Sequence, residues 1–110
     1  MPMTADEITL LELNARYQGI SVVYAERLTE DNRLWRELAN LVEECSRAAR
    51  EMRSTDYIEL CRKFKALQAA KHVAELGLKS ATKSHAEALD NLKAHKGKMF
   101  ASSISFPSIP

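Results

Sequence analysis

Proline is absent from almost the whole chain: it occurs only at Pro2, Pro107 and Pro110, and glycine only at Gly19, Gly77 and Gly97. Between Met3 and Phe106 there is therefore no residue that forbids a helix, and few that weaken one. Only two cysteines are present, Cys45 and Cys61, which excludes a disulfide framework and any cysteine cluster at zinc-ligand spacing. Both fall on apolar helical faces, where a thiol behaves as a small hydrophobe. No apolar run approaches the roughly 18 residues of a membrane span, and no basic stretch followed by a hydrophobic one opens the chain. A cytoplasmic protein is expected. There is no phosphate-binding loop, no glycine-rich dinucleotide fingerprint and no nucleophile elbow. No cofactor and no metal is implied, and a non-enzymatic role is expected.

What is present is helical periodicity. Tyr57, Leu60, Phe64, Leu67, Lys71, Ala74, Leu78, Ala81, His85, Ala88, Leu92, His95 and Met99 follow at alternating spacings of three and four, one side of a single helix. Only Lys71, His85 and His95 among them are polar. At about 1.5 Å per residue such a helix would run on the order of 60 Å, so it needs long partners. Residues Leu78, His85, Leu92 and His95 are accordingly candidates for an oligomer seam.

Two further helices are expected before it. Thr4 can cap a first helix, with Asp6 and Glu7 in its first turn, and Leu10, Leu13, Tyr17, Ile20 and Tyr24 form its stripe. Arg27 and Asp31 then break the pattern, and Thr29-Glu30-Asp31-Asn32 reads as an interruption with Thr29 capping a second helix. That second helix has a broad apolar face, Leu34, Trp35, Leu38, Leu41, Val42, Cys45, Ala48, Ala49 and Met52, the width of a helix packed on more than one neighbour. Ser54-Thr55-Asp56 supplies the next cap. The expected fold is all-α, a three-helix bundle or long helical hairpin with a coiled-coil-like seam, its helices near residues 5–28, 30–53 and 56–96. Gly77 is a candidate kink and Gly97 a candidate stop, which sets a helical domain at 1–97 and an extended C-terminal tail at 98–110. Met99, Phe100, Ile104, Phe106 and Ile109 make that tail too apolar for a solvated linker, so it is expected to bind a partner.

The formal net charge of +1 conceals a division. Residues 1–60 hold seven arginines against twelve acids, a balance of −5, and residues 61–110 hold nine lysines and arginines against three acids, a balance of +6. Opposite halves of this kind favour pairing of an acidic with a basic helix, within one chain or between copies. Lys79, Lys83, Lys93 and Lys96 form a basic stripe with hydroxyl neighbours that could meet phosphates, although lysines also suit a helix C-terminus through its dipole. His85 and His95 lie about 15 Å apart along one helix and could not hold a metal together.

The function expected from these features is that of a small helical interaction protein that binds a larger macromolecular partner to block, recruit or scaffold it. A regulator or inhibitor encoded by a bacterium or a phage would fit, assembled as a homo-oligomer and without a membrane. The alternative is a nucleic-acid or nucleotide-phosphate binder using the lysines of the third helix.

Overall fold

The computed structural model describes residues 2–103, with side chains through Ala101. Among these residues there are two helices and no strand: α1, Ala5–Arg50, and α2, Ser54–Ser103. The fold is all-α, but a three-helix bundle is not supported, because the interruption expected at 29–32 does not occur. Thr29 does not cap a new helix. Its hydroxyl donates instead to the carbonyl of Ala25, 2.8 Å away and one turn back, a bond that leaves the helical ladder intact. Arg33 spans the same region, paired at 2.6 Å with Glu30 and also with Glu37, at the spacings that make helical residues neighbours.

Both helices begin and end by identifiable chemistry. The backbone N–H of Glu7 donates to Thr4 Oγ1 at 3.2 Å, so Thr4 caps α1 as the sequence suggests. Its other end closes without a glycine. Arg53 N–H donates to the Ala48 carbonyl at 2.9 Å and Met52 N–H to that of Ala49 at 3.2 Å, the paired bonds of a Schellman turn. Met52 takes the left-handed position this requires, with φ of 56°, and the residue is 88% exposed. Arg53 then pairs with Glu51 and Asp56 across the turn. α2 passes through Gly77 and Gly97 without interruption, so residues 98–103 of the expected tail are helical, including Met99 and Phe100. Ile104, Phe106 and Ile109 lie outside the described residues.

The chain forms two compact units, each built from one stretch of α1 and one of α2. In the unit of residues 25–80 the two stretches run antiparallel out of the turn at 51–53. Its core is Leu34, Leu38, Leu41 and Ala48 of α1, against the half-buried Leu60, Phe64, Leu67 and Ala74 of α2. In the unit of residues 1–24 and 81–110, Ala88 and Leu92 of α2 are buried and the α1 stripe Leu10, Leu13, Tyr17, Ile20 and Tyr24 is half-buried. His85 stacks on Tyr24 with ring centroids 4.9 Å apart and tilts against Tyr17 at 5.2 Å. His95 Nε2 donates to the carbonyl of Asp6 at 2.9 Å.

Two backbone positions can be improved. A left-handed non-glycine residue is strained by about 1 to 2 kcal/mol, so Met52→Gly should raise stability by roughly 1 kcal/mol once the added unfolded-state freedom is deducted. Gly77 lies against Arg27, and a Cβ there would sit 3.4 Å from the Arg27 Nη1, ordinary contact with the mobile end of a side chain. Gly77→Ala should therefore gain about 1 kcal/mol of helix propensity. Urea midpoints measured by circular dichroism test both, and a fall in either midpoint contradicts the corresponding geometry.

Candidate interaction surface

The polar residues that interrupt the two apolar stripes meet one another in the 25–80 unit. Asp31 and Lys71 are 7% and 5% exposed, and Lys71 Nζ donates to Asp31 Oδ1 at 2.7 Å. Glu75, one turn along α2, accepts a second bond at 2.7 Å. The ammonium also lies 4.6 Å from the centroid of the Trp35 ring, within cation–π range. Burial by itself would push the Lys71 pKa down, but the hydrogen bonds to Asp31 and Glu75 outweigh it and hold the group above its ordinary value. The second interruption, Arg27, lies against Gly77 in the same unit.

Trp35 belongs to a different row from the core leucines. Leu34, Leu38, Leu41, Cys45 and Ala48 face α2, whereas Trp35, Val42 and Ala49 recur every seven residues on the flank of that row and are exposed, Trp35 at 58% and Val42 at 49%. Beside them α2 contributes Tyr57, Cys61, Phe64 and Gln68. Together they border an open apolar hollow of about 490 Å³ around Cys45 and Ala49, and a second of about 440 Å³ between Trp35, Val42, Phe64 and Lys71. Val42, Phe64 and Gln68 line both, so the two form one continuous face. The free thiols of Cys45 and Cys61 border the first hollow. Burial, then Cys61 and Glu44, raise the Cys45 pKa, and a bond with Cys61 raises that of Tyr57. A thiol held neutral in this way is a weak nucleophile.

The 1–24 and 81–110 unit has its own exposed apolar residues. Ile8, Leu11 and Val22 stand out from α1 on a line that also includes the exposed Ala15, and Phe100 is exposed near the end of α2. The seam residues His85, Leu92 and His95 are engaged within the chain, Leu92 by burial and the two histidines by the ring stacking and carbonyl bond above, and Leu78 is half-buried in the other unit. Lys79, Lys83, Lys93 and Lys96 are all exposed on α2. Among the described residues no group of three or more His, Cys, Asp or Glu could hold a metal ion, and no helix is long and apolar enough to cross a membrane. Sequence reasoning put Trp35 and Val42 on the broad apolar face of a helix packed on more than one neighbour, whereas both are exposed. Spacing alone does not separate them from the leucine row, since Leu34, Leu41 and Ala48 recur at the same seven-residue interval; which of the two adjacent rows α2 covers is decided by the packing. Compared with known protein families, curated proteins and solved structures, the chain matches none.

The ion pair makes a prediction of its own. Asp31→Ala leaves the Lys71 ammonium buried with Glu75 alone and should cost about 3 kcal/mol, the low end for a broken buried pair. The double change Asp31→Leu with Lys71→Met removes both charges and should cost less than the single one. Because the folded-state pKa of Lys71 is raised, its contribution is complete below the ordinary lysine value of about 10.4 and is lost as pH rises through the higher folded value. Denaturant titrations of the three proteins, repeated at alkaline pH, decide the matter; a double variant less stable than Asp31→Ala contradicts it.

Proposed function

We propose that this chain is a small non-enzymatic interaction protein that binds a larger macromolecular partner and so blocks, recruits or scaffolds it. The observation that carries the reading is the exposed apolar line Ile8, Leu11, Ala15 and Val22 on α1. Side chains at this spacing present one edge of a helix, the form in which amphipathic helices engage grooves or other helices. Phe100, in the same unit, adds an exposed aromatic of the type that dominates interface energetics. Met99, Ile104, Phe106 and Ile109, the other apolar residues of the segment that the sequence marks as partner-binding, belong to the same reading. A role as regulator or inhibitor, of bacterial or phage origin and acting in the cytoplasm, belongs to the same reading.

The alternative, a nucleic-acid or nucleotide-phosphate binder, rests on the exposure of Lys79, Lys83, Lys93 and Lys96. The two readings separate by salt. Phosphate contacts weaken steeply as salt rises, whereas apolar docking does not.

The test is affinity capture from the source cell by the intact chain, by Leu11→Asp and by Phe100→Ala. A partner held by the intact chain at moderate salt and lost from Leu11→Asp, with helicity by circular dichroism unchanged, is the expected result. Loss from Phe100→Ala should be partial. Capture that is equal for all three proteins rejects this surface, and capture limited to nucleic acid at low salt favours the lysines.

A further inference from the structure

We infer that the outer face of the 25–80 unit is a self-association surface, on which a second copy of this chain docks across a two-fold axis beside Val42. The argument begins with the width of the apolar arc on α1. One helix neighbour covers the row Leu34, Leu38, Leu41, Cys45 and Ala48, and within this unit there is only one such neighbour, the 54–80 stretch of α2. Trp35, Val42 and Ala49 form a second row that this neighbour leaves exposed. Isolated exposed apolar residues need no explanation, but a regular row continuous with two apolar hollows does.

The order of sizes in that row identifies the occupant. A large, a medium and a small side chain follow at equal intervals, so Trp35 and Ala49 each lie about 10.5 Å from Val42 along the helix. If a second α1 is laid antiparallel with the two Val42 residues facing, Trp35 meets the partner's Ala49, and Ala49 meets the partner's Trp35. The hollow beside Ala49 and Cys45, about 490 Å³, has room for an indole. A surface carrying its own knob and its own hole on opposite sides of a centre is what an isologous interface requires. On α2 the same centre falls at Phe64, with Tyr57 seven residues to one side and Lys71 seven to the other. Lys71 brings no unpaired charge into the contact, since Asp31 and Glu75 of its own chain already hold it.

The area sets the strength to expect. Two heptads are about 21 Å long and a helix pair is about 20 Å wide, giving roughly 400 Å² of projected face per copy, about half that of a standard specific interface and in the range of weak, transient ones. The dimer is therefore a reversible one that forms at micromolar concentrations. Centring the axis on Val42 is the antiparallel arrangement that sets Trp35 against Ala49 in both directions at once. With the two-fold axis parallel to the helices, Val42 would face α2 of the partner and not its own counterpart.

Sedimentation equilibrium of the intact chain across the micromolar range, with Trp35 emission followed in parallel, tests this directly. The mass should rise from 12.4 kDa toward twice that value, and the emission of this single tryptophan should shift to shorter wavelength as it does. Val42→Glu, a change at an exposed position, should hold the mass at 12.4 kDa with helicity unaltered. In a Cys45→Ala, Cys61→Ala background, Val42→Cys should cross-link into a covalent dimer with oxidised glutathione, while Lys83→Cys should not. A chain that stays monomeric throughout overturns the inference. So does a dimer that survives Val42→Glu or fails to cross-link at Val42, because it uses another face. Failure here leaves the Leu11 surface of the proposed function untouched, since that surface lies on the other unit and is read by partner capture.

Discussion

The buried pair of Asp31 with Lys71 fixes how the two helices of the 25–80 unit lie against each other. A stripe of leucines and alanines tolerates sliding by a heptad at modest cost, because apolar contact is non-directional. A buried ammonium does not tolerate it. Any shift of α2 against α1 would leave Asp31 buried without its cation and Lys71 with only Glu75 of its own helix, a penalty of several kcal/mol, whereas the observed alignment sets Asp31 2.7 Å from the ammonium. The same alignment sets Arg27 against Gly77. Register is thus specified by residues that contribute little to the apolar core, a division of labour familiar from buried polar positions in coiled coils.

Much of this was visible in the sequence. Every member of the α2 stripe from Leu60 to Met99 is buried or half-buried, and the α1 stripe from Leu10 to Tyr24 is half-buried throughout, because three-four spacing reports a face whatever the face packs on. Thr4 was legible because capping is a local bond. Asp31 was not. A carboxylate in an apolar stripe reads as a break unless its partner is known, and the partner is 40 residues away. Asp31, with Arg27, interrupted one stripe and Lys71, with His85 and His95, the other, and opposite charge was the only clue that Asp31 and Lys71 answer each other.

Thr29 and Gly97 misled for a related reason. Both residue types favour helix ends, yet each is compatible with a helix interior when its neighbours favour continuation. Thr29 finds an acceptor one turn back, and Gly97 is followed by Lys98, Met99, Phe100 and Ala101, none of which opposes a helix. The true end of α1 is the reverse case. Met52 carries no sequence signal for a left-handed turn, and it adopts one because the Schellman bonds at Ala48 and Ala49, with Arg53 bridging Glu51 and Asp56, outweigh its strain.

The width of the apolar arc on α1 has a different status from its register. Register is settled inside the chain by the ion pair, but an arc that includes Trp35, Val42 and Ala49 as well as the leucine row is wider than one neighbouring helix can cover. The sequence suggested more than one neighbour, and within the 25–80 unit there is one. Trp35 connects the two facts. Its ring lies over the Lys71 ammonium, so the residue that heads the outer row is also positioned by the pair that sets the register. A change at Asp31 would therefore act on the core through lost charge compensation and on the outer face through the orientation of Trp35. Stability and surface recognition in this unit share a single electrostatic origin, and the spacing of the outer row makes sense only once that origin has placed its largest member.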